Sequence, residues 1–575
     1  MKAFTEPLLS LAGFEEMTKT AEKSSGLISV TGCIDAQKSQ MIYAFGGHRK
    51  NKLIVTFGEQ KAKELYDEYS FFDKEVVYYP SKDVLFYQSD IRGNLLTAER
   101  IRALKAIREQ ERVTLVTTFD ALMNTMAPIE KMWENVLTLE QGQLLDLKEI
   151  QAALIRMGYE KEYQVQTMGQ FSVRGGILDV FPLTEENPIR IELWGDEIDT
   201  IRYFDCESQK SIENTDRVSI YPAAEIVLSD EEKAGGIEKL KAEAKRVSDK
   251  LRKQMKTEEA HRVSVMADEL TEEWGELSMY AGMDAFLSYF FDERVGLLDY
   301  FNPSDSLIFF DELTRCAEQG KLTETEFSES MKQRLAMGYI LPGQMNGLFT
   351  EKEIVAKLGK YSCVALAALD NKANGLHQLG SYGIHCQSVS PYNNSFELLI
   401  KDLKRYKKNG YRVILLSGSR TRAKRLSEDI TDQGITCFYT ENYDHELFEG
   451  QIMVCYGKVR RGFEYPILKF AVITESDIFG AQQKKKKRHR TYEGEKIQSF
   501  TDLSVGDYVV HENHGLGIYR GIEKLEVDKK VKDYIKIEYQ GGSNLYILAT
   551  QLDMIQKYAG KDARKPKLNK LGGQE

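Results

Sequence analysis

The sequence lacks the closely spaced cysteines that zinc sites and secreted disulfide frameworks require. Its 575 residues include seven cysteines, and these stand singly, with no two of them spaced as CxxC. Paired cysteines at short spacing are the usual signature of structural zinc sites and of small secreted folds. We therefore expect no metal site, and we expect reduced thiols in a cytoplasmic location.

The chain also lacks an excess of positive charge and any long apolar run. Its formal net charge is −10 at pH 7, so binding to nucleic acid or to an anionic membrane would need a local basic patch. No stretch approaches the roughly 18 apolar residues of a membrane-spanning helix. The segment 1–6 lacks the basic and then apolar layout of a signal peptide. These absences predict no membrane partner.

What is present suffices for several folded domains. Hydrophobic residues make up 42% of the chain, and its length predicts roughly 3–5 domains. Short apolar runs alternate with helical patterns over residues 27–127, which is typical of a parallel sheet covered by helices. From about residue 164 the period-2 pattern of antiparallel strands begins. The charged segment 229–279 indicates a solvated helical arm.

The second half of the chain contains two further patterns. Strand and helix patterns after residue 376 predict a small α/β domain that ends in a strand over 469–474. Period-2 strands over 505–557 predict a compact β module, with Gly541 and Gly542 as a hairpin turn. The basic run 484–490 between them favours a solvated linker over a contact with DNA backbone.

Residues 32–39 match a phosphate-binding loop except at one position. The motif requires glycine, four residues, and then glycine, lysine and serine or threonine, but Gln37 replaces the second glycine. That glycine lets backbone N–H groups surround a phosphate where a Cβ has no room. In P-loop enzymes a second strand ends in an acid that holds Mg²⁺, and a neighbouring acid orients the water. This chain also has a strand pattern that ends in two acids. We interpret the set as a degenerate nucleotide site with no catalytic residue, formed by Gly32, Gln37, Lys38, Ser39, Asp311 and Glu312.

Two groups of residues carry a resemblance to one known family. The first group resembles the excision-repair protein UvrB and comprises Tyr159, 171–182, 194–198, 299–312 and 338–342. The second group resembles the CarD-like domain that interacts with RNA polymerase and comprises 505–511, 514–519 and 545–547. With the segment 474–480 between them, the parts resemble the bacterial transcription-repair coupling factors over about residues 27–560.

The resemblance implies a multidomain α/β and β architecture. It implies a UvrB-like degenerate P-loop α/β domain with an antiparallel β insert, a second small α/β domain, and a C-terminal small β-barrel of the CarD-like or Tudor-like kind. The implied boundaries are 1–150 and 226–375 for the UvrB-like domain, 151–225 for its insert, 376–480 for the small α/β domain, 481–498 for a basic linker, 499–562 for the CarD-like domain and 563–575 for a tail.

The resemblance also implies two protein partners. The insert would bind UvrA through Arg174, Phe181 and Lys161, and the CarD-like domain would bind the RNA polymerase β subunit through Leu525 and Ile522 by pairing at a strand edge. Burial statistics leave a core position equally open for Phe181, and favour it for Ile522. In the family a DNA translocase follows these parts, uses ATP and Mg²⁺, and contacts double-stranded DNA. This segment itself would need no cofactor.

Three functions from different classes remain open. The first is a docking platform for transcription-coupled nucleotide excision repair, the second an active UvrB-like ATPase or helicase, and the third a CarD-like transcription regulator. The order of the parts favours the docking platform. Gln37, the negative charge of Asp35 and the lack of a recognisable second motor lobe disfavour the enzyme. The UvrB-like insert disfavours the regulator, which would not need it.

Overall fold

The computed structural model describes most of the chain, with short gaps. The described residues are 1–45, 50–82, 94–275, 283–369, 374–480, 494–496, 503–511, 515–527, 530–540, 543–548, 555–558 and 568. Their strands form five sheets. Among these residues, none of the helices combines the length and the apolar character needed to traverse a lipid bilayer.

The first part of the chain forms four strands and the helices that cover them. The strands are β1 Gly26–Thr31, β2 Asn51–Thr56, β3 Val76–Tyr79 and β4 Val113–Thr118. The helices are α1 Lys2–Thr5, α2 Phe14–Lys23, α3 Asp35–Phe45, α4 Glu59–Phe72, α5 Asn94–Glu109, α6 Phe119–Met123 and α7 Ile129–Glu134. All six residues of β4 are buried, because a parallel sheet carries helices on both faces.

An insert of mainly antiparallel strands follows. Its elements are β5 Leu137–Glu140, α8 Leu147–Arg156, β6 Glu160–Lys161, β7 Gln170–Arg174, β8 Ile177–Val180, β9 Ile189–Trp194, β10 Glu197–Phe204, β11 Ser211–Thr215 and β12 Arg217–Ile220. Strands β6 to β11 form one sheet in chain order, and the short β6 pairs parallel to β7. One face packs against α8 through residues such as Ile191 and Leu154. We call the opposite face of this sheet the outer face.

Within the charged segment 229–279 the described residues form two packed helices, so the expectation of a solvated arm was wrong. These helices are α9 Asp230–Lys253 and α10 Thr257–Gly275. Leu240, Ala244 and Leu251 on α9, and Val263 and Trp274 on α10, are buried in the largest hydrophobic core. The alternation of glutamate and lysine concealed an apolar stripe at helical spacing, and that stripe determines the packing.

A later part of the chain completes the parallel sheet that begins with β1 to β4. We call the whole unit, this sheet with its helices, the frame. The elements of this later part are α11 Leu287–Phe290, β13 Ser306–Asp311, α12 Leu313–Ala336, α13 Glu351–Leu358, β14 Ser362–Leu366 and β15 Gln378–Gly383. The sheet has seven strands in the order β15-β1-β14-β13-β2-β4-β3. Strand β15 lies within the range 376–480 and pairs in parallel with β1. The carboxyl ends of β1 and β13 therefore meet at one edge of this sheet.

A second α/β unit packs against the frame. Its elements are β16 Gln387–Ser388, α14 Phe396–Lys408, β17 Arg412–Ser417, α15 Arg420–Asp432, β18 Phe438–Tyr439, β19 Ile452–Tyr456, β20 Phe463–Tyr465, β21 Phe470–Thr474 and α16 Glu475–Phe479. The strands form one sheet in the order β16-β20-β21-β17-β19-β18. Ile414 and Phe470 of this sheet share a core with Val30 and Leu65 of the frame, so the two units are joined by apolar contacts.

The last module is a six-stranded antiparallel sheet. Its strands are β22 Gly494–Lys496, β23 Tyr508–His511, β24 Gly515–Val527, β25 Lys530–Glu538, β26 Asn544–Leu548 and β27 Ile555–Tyr558, in the order β22-β27-β23-β24-β25-β26. Val509, Ile535 and Ile537 lie in its core. The basic run 484–490 and the turn at Gly541 and Gly542 lie outside the described residues.

Candidate functional site

The degenerate motif 32–39 runs from the end of β1 into the first turn of α3, which is the position that a phosphate-binding loop would take. Gly32 has a φ of +79°, and a Cβ there would meet the carbonyl oxygen of Ile384 at 2.0 Å. The N–H of Gly32 donates to the carbonyl of Ala368 (3.3 Å), and that of Cys33 donates to the carbonyl of Ala367 (3.0 Å). Two amides that could face an anion are therefore bonded to the chain's own backbone.

Lys38 forms ion pairs with Asp311 and Glu312, the two acids at the end of β13 that the sequence analysis assigned to this site. Its Nζ lies 2.5 Å from Asp311 Oδ1, 2.9 Å from Glu312 Oε1 and 3.3 Å from Asp35 Oδ1. The side chain is 1% exposed. Burial alone would lower the pKa of Lys38, but the charges of Asp311 and Glu312 outweigh burial and raise the pKa above its ordinary value. Lys38 is thus a buried, charged member of an internal ion-pair cluster.

The remaining residues of the motif are buried around this cluster. The Gln37 side chain is fully buried, and its Oε1 accepts a hydrogen bond from the N–H of Ile34 (3.2 Å). Ser39 is buried beside it. The hydroxyl of Thr56 donates to Asp311 Oδ2 (2.8 Å), and the N–H of Ala368 donates to Glu312 Oε1 (3.0 Å). The structure therefore brings all six predicted residues to one place. The side chains of Lys38, Asp311 and Glu312 bond to the protein itself, whereas Ser39 Oγ and Gln37 Nε2 are buried without a hydrogen-bond partner among the described residues.

Arg174 ends β7 on the outer face of the insert. Its Nη2 lies 3.0 Å from Asp179 Oδ2, and its side chain is 36% exposed. Asp179 is buried and also accepts two hydrogen bonds from Arg190, at 2.7 and 2.9 Å. A guanidinium has five N–H donors, so Arg174 is held by one carboxylate and still presents donors at the surface.

The other two residues predicted for this site lie at the opposite end of β7. Lys161 is opposite Phe171 in the register, and its Nζ donates to Gln151 Oε1 (2.7 Å). Phe181 is 8% exposed, and its N–H donates to the carbonyl of Gln170 (2.9 Å). Lys161 and Phe181 therefore flank the start of the strand, whereas Arg174 is three residues beyond Phe171.

The two residues predicted for polymerase binding share strand β24. Ile522 pairs with Ile535, and Leu525 pairs with Lys532. Strand β23 pairs with β24 over residues 515–518, so in the described part of the module the segment 522–527 is paired on one side. Ile522 is partly buried against the core. A strand segment that is paired on one side is the kind of edge that can accept an added strand.

Sequence reasoning missed three residues of the outer face. Asp179 and Arg190 are opposite each other on β8 and β9, and their bond positions Arg174. Trp194, at the end of β9, is one of the most exposed aromatic side chains of the described chain. Period-2 alternation along β8 and β9 would have placed these residues on one face, and opposite charges on neighbouring strands were the available signal.

Within the described residues, no cluster of histidine, cysteine, aspartate and glutamate is arranged to hold a metal ion. Asp311 and Glu312 are the acids that the sequence pointed to, and both pair with Lys38.

Comparison with known proteins finds matches in both halves of the chain. Residues 137–226 match the family described as UvrB interaction domain, and residues 503–559 match the family described as CarD-like/TRCF RID domain. Transcription-repair-coupling factors are similar over most of the chain: that of Bacillus subtilis is 31% identical over 526 residues, 91% of this chain and 44% of the relative. The chain resembles the transcription-repair-coupling factors.

Two further relatives with that name support this resemblance. The factor of Staphylococcus haemolyticus is 30% identical over 95% of this chain and 46% of its own length. The factor of Staphylococcus aureus strain USA300 is 29% identical over 98% of this chain and 47% of its own length. The resemblance inferred from the sequence is confirmed, and the chain spans somewhat less than half the length of these relatives.

Proposed function

We propose that the chain is a docking portion of a transcription-repair-coupling factor in the cytoplasm, which recruits UvrA to RNA polymerase for nucleotide excision repair. The insert would bind UvrA, and the β module would bind the polymerase β subunit. The observation that carries the proposal is that one chain joins a UvrB interaction domain to a CarD-like/TRCF RID domain. ATP, Mg²⁺ and double-stranded DNA would be handled by a translocase that belongs to the longer relatives.

The degenerate nucleotide site supports a docking role over the ATPase alternative. We infer that the frame descends from a P-loop fold and keeps its shape without nucleotide chemistry. Lys38 is the residue that would contact the β- and γ-phosphates, and it is paired with Asp311 and Glu312 instead. An anion at this place would have to displace both carboxylates from a buried site, which is unfavourable.

We predict that Arg174→Ala weakens UvrA binding by at least about 30-fold, the usual size of a hot-spot effect at an interface. The fold should persist, because Arg190 still pairs with Asp179. The affinity of purified chain for UvrA, measured by biolayer interferometry, checks this. Arg294→Ala is the matched control, since Arg294 is also half-buried and paired with one carboxylate but lies outside the insert. Equal affinities of wild type and Arg174→Ala would remove Arg174 from the site.

We predict that Leu525→Glu abolishes binding to RNA polymerase, because a charge on the half of β24 that would receive the added strand opposes the apolar anchor that strand addition needs. The measurement is co-purification of polymerase with the chain. Ile467→Glu, which places the same charge at an exposed apolar residue of the second α/β unit, should bind normally. Retention of polymerase by Leu525→Glu would contradict the assignment of this edge. A chain that bound polymerase but not UvrA would favour the regulator alternative.

A further inference from the structure

The outer face of the insert continues from Arg174 to an exposed tryptophan. In the register Arg174 is opposite Ile177, and Ile177 is opposite Glu192. Residues directly opposite each other project from the same face, and so do residues two apart on one strand. Trp194 therefore shares the face of Arg174. The two residues are separated by two strand spacings across the sheet and by two residues along β9, about 12 Å in all.

A second exposed apolar residue, Leu144, lies on this face. Trp194 is 84% exposed and Leu144 is 76% exposed. Leu144 forms a bridge with Glu197, and Glu197 pairs with Trp194, so Glu197 stands between the two apolar side chains. Tryptophan and arginine are the residue types most enriched among interface hot spots. Arg174 and Leu144 are four strand spacings apart, about 20 Å across the sheet, which is within the extent of a standard interface of about 800 Å² per partner.

The surroundings of Trp194 indicate the charge of the partner. A concavity of about 600 Å³ adjoins the indole, and its charged lining residues are Glu140, Glu197, Asp199, Asp216 and Arg217. Arg217 lies 3.2 Å from the carboxylate of Glu140, so four carboxylates face one guanidinium. A lysine or arginine of a partner is attracted to such a rim, and a cation over an indole face is favourable.

We propose that Trp194 and Leu144 form a second contact of the UvrA-binding face, which receives a cationic side chain of the partner against the indole. The inference rests on the proposed function, because it takes the partner to be the one that Arg174 binds. Arg174 contributes directed hydrogen bonds, and Trp194 contributes apolar area and a cation–π contact. Two unlike contacts on one rigid sheet orient the partner as well as hold it.

The test is the affinity of purified full chain for UvrA. Trp194→Ala should weaken binding at least about 10-fold, Trp194→Phe should retain most of it, and Phe448→Ala should bind as the wild type does. Phe448 is a matched control, since it is an exposed aromatic residue of the second α/β unit. Removing the rim charges with Glu197→Gln and Asp216→Asn should weaken binding and reduce its dependence on salt.

The outcomes separate this inference from the proposed function. If the wild type binds UvrA and the affinity of Trp194→Ala is within about twofold of it, the inference is overturned and the proposed function stands. Failure of the wild type to bind UvrA would remove both. Since Trp194 is so exposed, an unchanged melting temperature of Trp194→Ala is expected, and a loss of binding is then a loss of contact.

An optical measurement locates the contact directly. The chain has three tryptophans, of which Trp274 is buried, Trp133 is half-buried and Trp194 is exposed. The chain labelled with 5-hydroxytryptophan can be excited separately from UvrA. Acrylamide should quench its emission strongly in the free chain and weakly in the complex, and Trp194→Phe should abolish this difference. Undiminished quenching in a saturated complex would show that Trp194 stays in water, and would overturn the inference.

Discussion

Lys38→Met is expected to lower the free energy of unfolding of the frame by about 3–5 kcal/mol, the usual result of removing one partner from a buried ion pair. Lys38 and Asp311 are each 1% exposed, and Glu312 is largely covered. Methionine fills a similar volume but leaves two carboxylates close together without their cation. Their mutual repulsion and their burial then act against the folded state. Urea and thermal denaturation, followed by circular dichroism, measure this loss.

Two further variants establish the cause of that loss. Lys19→Met removes an exposed lysine paired with Glu15 at the surface of α2, and should change stability by less than about 0.5 kcal/mol. Combining Lys38→Met with Asp311→Asn should recover part of the loss, because the uncompensated charge is then reduced. A different result would restore the enzyme alternative: if ATP raises the melting temperature of the wild type and Lys38→Met abolishes that rise, the site binds nucleotide.

Arg100→Met is expected to destabilise the chain by a similar amount, about 3–5 kcal/mol, because Arg100 joins the insert to the frame. Its Nε lies 2.7 Å from Glu225 Oε1, and its Nη1 donates to the carbonyl of Pro80 (2.6 Å). Lys82 pairs with Glu225 and with Asp284. All four charged groups are at least nine-tenths buried. Removing Arg100 leaves two buried carboxylates with one cation.

The pH dependence of this effect follows from Glu225. Burial alone would raise the pKa of Glu225, but the charges of Arg100 and Lys82 hold the pKa below its ordinary value of 4.5. The stabilisation is therefore present above that value and is lost as the pH falls through the lowered pKa. The difference in stability between wild type and Arg100→Met should be full at pH 7 and should shrink in acid. A constant difference across this range would mean that lost packing and not lost charge pairing is the cause.

A matched substitution on the same helix controls for the loss of a positive charge from α5. Arg108→Met removes an exposed arginine from its last turn, whose guanidinium lies 5.9 Å from the centre of the Tyr221 ring, and should cost at most about 1 kcal/mol, the size of an exposed cation–π contact. Arg100→Lys should fall between the two, since lysine keeps the charge but not the forked geometry of the guanidinium.

Much of the local structure could be predicted from periodicity. The apolar β-branched runs became β2, β3 and β4 of the parallel sheet, and the period-2 run after residue 170 became the antiparallel insert. These patterns are reliable because a strand buried on two faces and a strand buried on one face need different sequences. The helical arm was misjudged, because its charged residues outnumber the apolar stripe that includes Leu240 and Trp274.

The candidate sites were also predictable only where a local pattern of the sequence marks them. The motif around Lys38 was visible because a P-loop has a fixed spacing, and Gln37 was visible as a departure from it. No local pattern shows that Lys38 pairs with an acid 273 positions away, or that Arg100 meets Glu225. Trp194 belongs to the segment 194–198 that resembles UvrB, but its place on the face of Arg174 depends on the register of β7, β8 and β9.

By itself the sequence determined the kinds of elements, their order, the resemblance of the two interaction modules, and the loss of a glycine where a phosphate would need it. Local spacing is sufficient for these, since each is written within a few turns or strands. Only the tertiary structure decided what each of these groups contacts. Lys38 pairs with acids, α9 and α10 pack into a core, and Trp194 is exposed to water. The local sequence determines whether a surface is polar or apolar. The residues that contact that surface can be hundreds of positions away in the chain, as Asp311 is from Lys38.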